Sequence, residues 1–389
     1  MQKNSKWVSR LICGLAVGLM TLSVGDSAFA ATYTQKGSAL SSYSASKFKY
    51  VSNSNYYLTG NFTTKKQYSY AAGYKTSTFQ TKPDSVNYKK GNKKVSFKSN
   101  YFLPVTKWKN LSWGNPQSFA MTSADTAYVF CTSGSYGWIT KYNLKALRAL
   151  GATKSGKMDM IRRATFYNAN SKNYPTQNQN ATYKKVLKAI KVGPKFKNFG
   201  HGQSLAYNPK DSSHLWFVGT GLASGNHVST KANVQRVKIS TLKPDKKINF
   251  RFKSKSGYIA GGLNLAFDKS GNAYLDSKTG SRSLKLFKGK IYTKSVKFSL
   301  VMQGIKYAPG PRTQSLAYNK KRNRIYMIAD DSVISVPVSK LGKLKKSDVQ
   351  ATQFSAKREF EGMQFTSDGS SYLLTNKGAE IMKGSTKSF

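Results

Sequence analysis

Cysteine is almost missing from this chain: only Cys13 and Cys131 occur in 389 residues. A disulfide scaffold is therefore excluded, and stability has to come from packing. Acidic residues are nearly as scarce, with 15 Asp and Glu against 64 Lys and Arg, a formal charge of +49. Glutamate is confined to Glu359, Glu361 and Glu380, so carboxylate-pair catalysis has few places to reside. There are three histidines, His201, His214 and His227, evenly spaced by 13 residues, a spacing that matches no zinc-ligand pattern. Beyond the N-terminus no run approaches the roughly 20 apolar residues of a membrane-spanning helix. G-x-S-x-G, H-E-x-x-H, Walker and G-x-G-x-x-G motifs are also absent, which removes the readiest support for a hydrolase or a nucleotide enzyme. No cofactor and no metal is expected.

The N-terminus has the three parts of an export signal. Lys3, Lys6 and Arg10 precede an uncharged stretch from Leu11 to Gly25, and Ala28-Phe29-Ala30 ends it. Residues 1–30 are thus expected to be removed, leaving a secreted chain with Cys131 as its lone thiol. In Tyr128-Val-Phe-Cys131 that thiol reads as a small buried apolar residue. Cleavage lowers the charge by only two. Outside a cell such a charge draws polyanions: teichoic acid, anionic lipid or acidic glycan, with nucleic acid the weaker candidate.

Abundant Tyr, Phe, Thr, Ser and Val favour strands. Five segments share one form, an apolar strand, a polar turn and a second strand entered at an aromatic. They start at Gln117-Ser-Phe-Ala-Met, Gln203-Ser-Leu-Ala-Tyr, Leu263-Asn-Leu-Ala-Phe, Gln314-Ser-Leu-Ala-Tyr and Glu361-Gly-Met-Gln-Phe. Asp268-Lys-Ser-Gly271 and Asp368-Gly369 supply turn chemistry between the strands. The starts are 86, 60, 51 and 47 residues apart, against a propeller repeat of about 40 to 50. The pattern predicts an all-β fold, a five-bladed β-propeller over residues 111–389, with a short helical insertion at about 143–192 in the longest gap.

Within that gap Tyr183, Val186, Leu187 and Ile190 mark one helical face and Lys184, Lys185, Lys188 and Lys191 the other. Asn180 caps the predicted helix, and Gly193-Pro194 ends it. A second short helix is predicted from Asn143 to Leu150, and 168–180 reads as an exposed loop. The 29 residues from Glu361 onward are too few for a four-stranded blade. Residues 31–110, rich in Ser, Tyr and Lys, are expected to supply the missing strands, from stretches such as Tyr56-Tyr-Leu-Thr and Val95-Ser-Phe-Lys.

Gly200-His-Gly-Gln-Ser-Leu-Ala-Tyr-Asn-Pro209, followed by Leu215-Trp-Phe-Val-Gly219 and later by Gln314-Ser-Leu-Ala-Tyr-Asn319, resembles the helveticin J family. Those are large secreted class III bacteriocins of lactic acid bacteria, and the resemblance covers about residues 112–389. It implies a propeller that inhibits related bacteria at their envelope, and it brings no catalytic residue set. The low-complexity segment before residue 110 and the high charge depart from that pattern.

The functional expectation is a secreted, basic, non-enzymatic antibacterial protein that binds anionic envelope polymers. The alternative is a wall-associated binding protein or adhesin, held noncovalently because no L-P-x-T-G signal is present. A propeller glycan hydrolase using Asp or Glu is the third reading. Glu359 and Glu361 would face one side of a strand, the spacing of a glycosidase pair, though ion pairing with the many lysines is the preferred reading; Asp276 and Asp330-Asp331 follow second strands, where calcium could bind but turn or loop roles are preferred; and the stretches around Tyr88 and Tyr101 interleave aromatics with lysines. Residues expected to contact a ligand are His201, Gln203, Lys184, Lys185, Lys188, Arg312 and Gln314.

Overall fold

In the computed structural model the described residues are 33–35, 48–53, 84–104, 113–220, 222–223, 227–228, 230–254, 257–279, 283–310, 313–356, 358–376 and 378–389. Residues 1–30, expected to form an export signal, Tyr56-Tyr-Leu-Thr and Arg312 lie outside them.

Five sheets form the propeller, one for each repeat. The innermost strands are Asn115–Ser123 (blade I), Gln203–Tyr207 (blade II), Leu265–Phe267 (blade III), Thr313–Asn319 (blade IV) and Phe360–Phe365 (blade V). Each touches its two neighbours, and blade V touches blade I, so the ring closes. Each predicted hairpin is present, and its turn residues act as expected. Asp268 accepts from Ser270 N at 2.8 Å and Asn272 N at 2.9 Å, while Gly271 takes φ +72°.

Closure by the N-terminal segment is wider than expected. Phe97–Phe102 completes blade V antiparallel to Glu380–Gly384, as the strand deficit required. Before reaching it, the chain also adds an outer strand to three other blades in order. Tyr33–Gln35 joins blade II in parallel, Lys49–Val51 joins blade III in parallel, and Tyr88–Gly91 joins blade IV antiparallel. The segment is a belt that pairs the outer edges of blades II to V.

Blade I is covered differently. Asn143 caps helix Leu144–Ala149 through Ala146 N at 3.0 Å, and Asn180 caps helix Ala181–Lys188 through Thr182 N at 2.9 Å and Tyr183 N at 3.1 Å. The helix predicted to reach Gly193 ends at Lys188 instead. Ile190–Val192 is the fourth strand of blade I, paired with Tyr136–Asn143 and its outermost strand among the described residues. The stretch 168–180 is not all loop: the end of helix Met160–Ala169 and the short helix Pro175–Asn178 lie in it. Tyr167 stacks on Tyr183 at 5.6 Å and meets Tyr174 at 5.3 Å, so aromatics organise a segment whose polar composition looks loop-like.

The core is divided among five blade interfaces. Phe130 of blade I packs on Phe217 of blade II at 4.9 Å, and Tyr326 of blade IV on Phe365 of blade V at 4.5 Å. Cys131 is buried between blades I and V, and desolvation pushes its thiol up to about 12, so it is an apolar filler as expected. No helix among the described residues is long and apolar enough to cross a membrane.

Candidate functional site

The repeated Gln-Ser pair explains the centre of the ring. Four innermost strands shift register at that point, between Pro116 and Ser118, Gln203 and Ala206, Thr313 and Ser315, and Phe360 and Gly362. Such a bulge breaks the alternation of a strand and re-aims side chains. Ser204 carries the strain of this turn at φ +51°.

The second residue of each pair fills the axis. Ser204 Oγ of blade II donates to Asn264 Oδ1 of blade III at 3.2 Å and lies 3.4 Å from Ser315 Oγ of blade IV. Ser118 Oγ of blade I donates to Gly202 O at 2.7 Å. At Gly362 of blade V, a Cβ would come within 3.4 Å of Ser315 Oγ and the Phe119 ring. Small polar groups therefore meet across the axis and plug it at this level. Asn264 is held from below by Asp276, whose Oδ1 accepts from Asn264 N at 3.0 Å. Burial pushes that carboxyl up to about 6.

One step nearer the mouth, where the innermost strands begin, stand Gln117, Gln203, Gln314 and Glu361, all buried. Gln203 Nε2 donates to Gln314 Oε1 at 3.4 Å, so two residues expected to contact a ligand are brought together across blade III. Gln203 Oε1 is buried without a hydrogen-bond partner among the described residues. A carboxylate cluster adjoins them. Asp330 accepts from Phe360 N at 3.0 Å, and Asn376 Nδ2 donates to Glu361 Oε1 at 2.8 Å and reaches Glu359 Oε2 at 3.4 Å. Burial first, then the charge of Glu359, pushes Asp330 up to about 7.

His201 is exposed at this mouth, displayed by two glycines that cannot be replaced cheaply. At Gly202, φ is +72° and a Cβ would lie 2.5 Å from the Phe130 ring; at Gly200 it would lie 1.9 Å from Gly219 O. The remaining candidates do not join the site. Lys184, Lys185 and Lys188 lie exposed on helix Ala181–Lys188 at the outer edge of blade I. His214 pairs with Asp211 at 2.7 Å on blade II, away from the mouth, and the side chain of His227 is outside the described residues.

The structure corrects one expectation about acids. Asp276 is not in a loop but within strand Ala273–Thr279, wholly buried, so it offers no surface for calcium. Glu359 and Glu361 converge on the side-chain amide of Asn376. Among the described residues no three His, Cys, Asp or Glu side chains come together to hold a metal ion.

Sequence reasoning also missed a buried ionic knot behind the mouth. Arg358 Nη1 lies 3.2 Å from Glu380 and 3.6 Å from Asp84, and Arg162 Nη2 lies 4.0 Å from Glu380. Arg162 donates to Leu103 O, Gly378 O and Ala379 O and packs over the Phe102 ring at 4.3 Å. Burial lowers its guanidinium to about 9. The knot ties the helical insertion to the belt strand of blade V. The run Arg358-Glu-Phe-Glu361 was the available signal, since alternating charges at a strand entrance put Arg358 on the opposite parity from Glu359.

No family model and no curated protein matches this chain. Solved structures share the propeller form at low identity. The soluble aldose sugar dehydrogenase of Escherichia coli is 10% identical over 75% of this chain and 99% of its own, with a TM-score of 0.36. The β-propeller domain of the Trilobed protease from Pyrococcus furiosus, described as having an open velcro topology, is 9% identical over 75% and 78%, with a TM-score of 0.31. A protein from Lactobacillus plantarum is 8% identical over 75% of each chain, with a TM-score of 0.34.

Proposed function

We propose that this is a secreted antibacterial protein that acts without catalysis, by binding anionic polymers of the envelope of target bacteria. The observation that carries the reading is where the acids are. Every carboxylate except Asp26 lies in the described residues, and each has work inside the fold. Asp276, Asp330, Glu359 and Glu361 belong to the axis and its mouth, Asp331 is buried in the same turn as Asp330, and Glu380 and Asp84 hold Arg358. Asp268 and Asp368 cap hairpin turns. The rest pair locally: Asp125 with Arg148, Asp159 with Arg163, Asp211 and Asp245 with His214, Asp348 with Lys340.

Few acids are left to neutralise the exposed lysines, so the field around the propeller is positive and long-ranged at low salt. Exposed aromatics sit among these charges. Tyr136 has Lys197 at 5.1 Å and Lys195 at 5.9 Å, and Tyr258 has Lys253 at 4.9 Å and Arg251 at 5.1 Å. Such pairs offer a ring face and a cation to a sugar-bearing anion.

Purified protein lacking residues 1–30 is expected to reduce the viability of related bacteria in a dose-dependent way, and added soluble polyanion is expected to protect them. No killing at any dose, together with release of the protein from its own producer by high salt, would replace this reading with the adhesin.

A hydrolytic reading has one specific observation behind it: Asp330, held near 7 beside Glu359 at the mouth, has the protonation behaviour of a general acid. Cleavage products from purified walls or acidic glycans, lost in Asp330→Asn, would establish it. Their absence leaves the binding reading standing.

A further inference from the structure

The face opposite the mouth, where the hairpin turns lie, carries a groove. Between blades III and IV an open-sided groove of about 680 Å³ runs beside the outer hairpin of blade III. That hairpin is formed by Ser283–Ile291 and either Val296–Leu300 or, further along, Gln303–Ile305. Lys288 and Lys290, two residues apart, share one face of the first strand, and Lys297 stands directly opposite Lys290 on the second. Two ammonium groups in a directly opposed pair repel each other. Gly289 keeps this arrangement tight, since a Cβ there would lie 2.0 Å from Lys297 O.

Among the described residues no carboxylate lines the groove. The acids nearest in the fold are occupied: Asp268 accepts from its own turn and from Tyr274 OH, and Asp348 pairs with Lys340 at 2.6 Å. Lys290 Nζ donates to Ser270 O at 2.9 Å and Lys288 Nζ stands 5.9 Å from the Tyr274 ring centre, contacts that position the two cations without neutralising them. The rest of the lining is of two kinds. Asn272, Asn323, Ser299 and Ser339 offer amides and hydroxyls, while Leu300, Met302 and the half-exposed ring of Tyr292 offer an apolar shelf.

We infer that this groove binds a phosphodiester-linked polyol chain, with phosphates on Lys288, Lys290 and Lys297 and polyol or sugar units against the amides and the Tyr292 ring. Ammonium groups are point-charge donors suited to phosphate oxygens. Cations about 7 Å apart along the strand match a chain with one phosphate per short polyol unit. The inference rests on the envelope reading above and names the polymer and the place where it docks.

The test is titration of the protein lacking residues 1–30 with purified polyglycerol phosphate at 0.15 M salt. The variant K288Q/K290Q/K297Q is compared with K154Q/K157Q/K172Q, which removes the same charge from exposed positions of the helical insertion. Affinity is expected to fall roughly tenfold or more in the groove variant, because three charge-assisted contacts go at once, and about threefold or less in the control. Equal losses would overturn the groove while leaving charge-driven envelope binding intact. No binding by the unmodified protein would overturn the polymer and the groove as its site, while the envelope reading falls only if the killing assay fails as well. Tighter binding to phosphatidylglycerol vesicles or to single-stranded DNA, lost in the groove variant, would overturn the polymer as occupant. Melting curves identify a groove variant that has not folded, and Tyr292→Ala, at a half-exposed hairpin tip, then takes its place with the same expected direction.

Discussion

The axis and the perimeter of this propeller use charge in opposite ways. At the axis and behind its mouth, scarce carboxylates are buried, each against a chosen partner: Asp276 on Asn264, Glu361 on Asn376, Glu380 between Arg358 and Arg162. On the perimeter lysines outnumber acids so heavily that a like-charged pair, Lys290 opposite Lys297, stands in a groove without a lining carboxylate among the described residues. A buried ionic group is costly unless matched, so the axis is sensitive to single substitutions. Exposed charges are screened and individually weak, so perimeter cations act in groups, as the three of the groove do, rather than singly.

The largest effect should come from breaking the knot. Arg358→Met leaves Glu380 wholly buried with Arg162 at 4.0 Å as its remaining cation. Removing one partner of a buried pair costs about 3–5 kcal/mol, so denaturant unfolding should shift by an amount of that order. An Arg358→Met protein as stable as the parent would show that the axis tolerates charge as the perimeter does.

A pH series sharpens the contrast. Asp276 and Asp330 titrate near 6 and 7 when folded, pushed up by burial, against an ordinary value of about 4 when unfolded. Between those limits the folded state holds protons that the unfolded state has released, so stability falls as pH rises from about 4 to 7. Perimeter acids have the opposite sign. Lys387 and Lys340 hold Asp368 and Asp348 below the usual carboxylate range, and their contribution is lost only as pH falls below about 4. The melting temperature is therefore expected to decline from pH 4.5 to 7.5, and Asp276→Asn, which keeps a hydrogen-bonding side chain beside Asn264, should flatten the decline. A rise over that interval would refute the assignment.

The same contrast explains what could be read in the sequence. Repeat form, hairpin turns and the shortage of strands after Glu361 are local patterns, and the five blades and their N-terminal closure followed from them. The belt over blades II to IV did not. Tyr33–Gln35 and Lys49–Val51 are three-residue strands without periodicity, defined only by the edges they cover. Of the site, the Gln-Ser pairs were legible because they repeat. That their hydroxyls meet across the axis was not, because it depends on bulges that alternation does not encode. Arg162 was hidden for a related reason: burial of an arginine depends on its partners, and for Arg162 these include Glu380, more than 200 residues away.

The smallest effect should come from the helix that drew attention first. Lys184, Lys185 and Lys188 are exposed, and Asn180 and the packing of Val186 fix the helix without them. Replacing all three by Gln should change stability by about 0.5 kcal/mol or less, the usual range for surface positions. If perimeter charges act by sum, affinity for polyglycerol phosphate should fall only about twofold, and salt should weaken variant and parent in parallel. A loss as large as that of the groove variant would mean that the helix, rather than the hairpin of blade III, presents its cations to the polymer. The edge of blade I, which no belt strand pairs among the described residues, would then be the binding edge, with the helical insertion beside it.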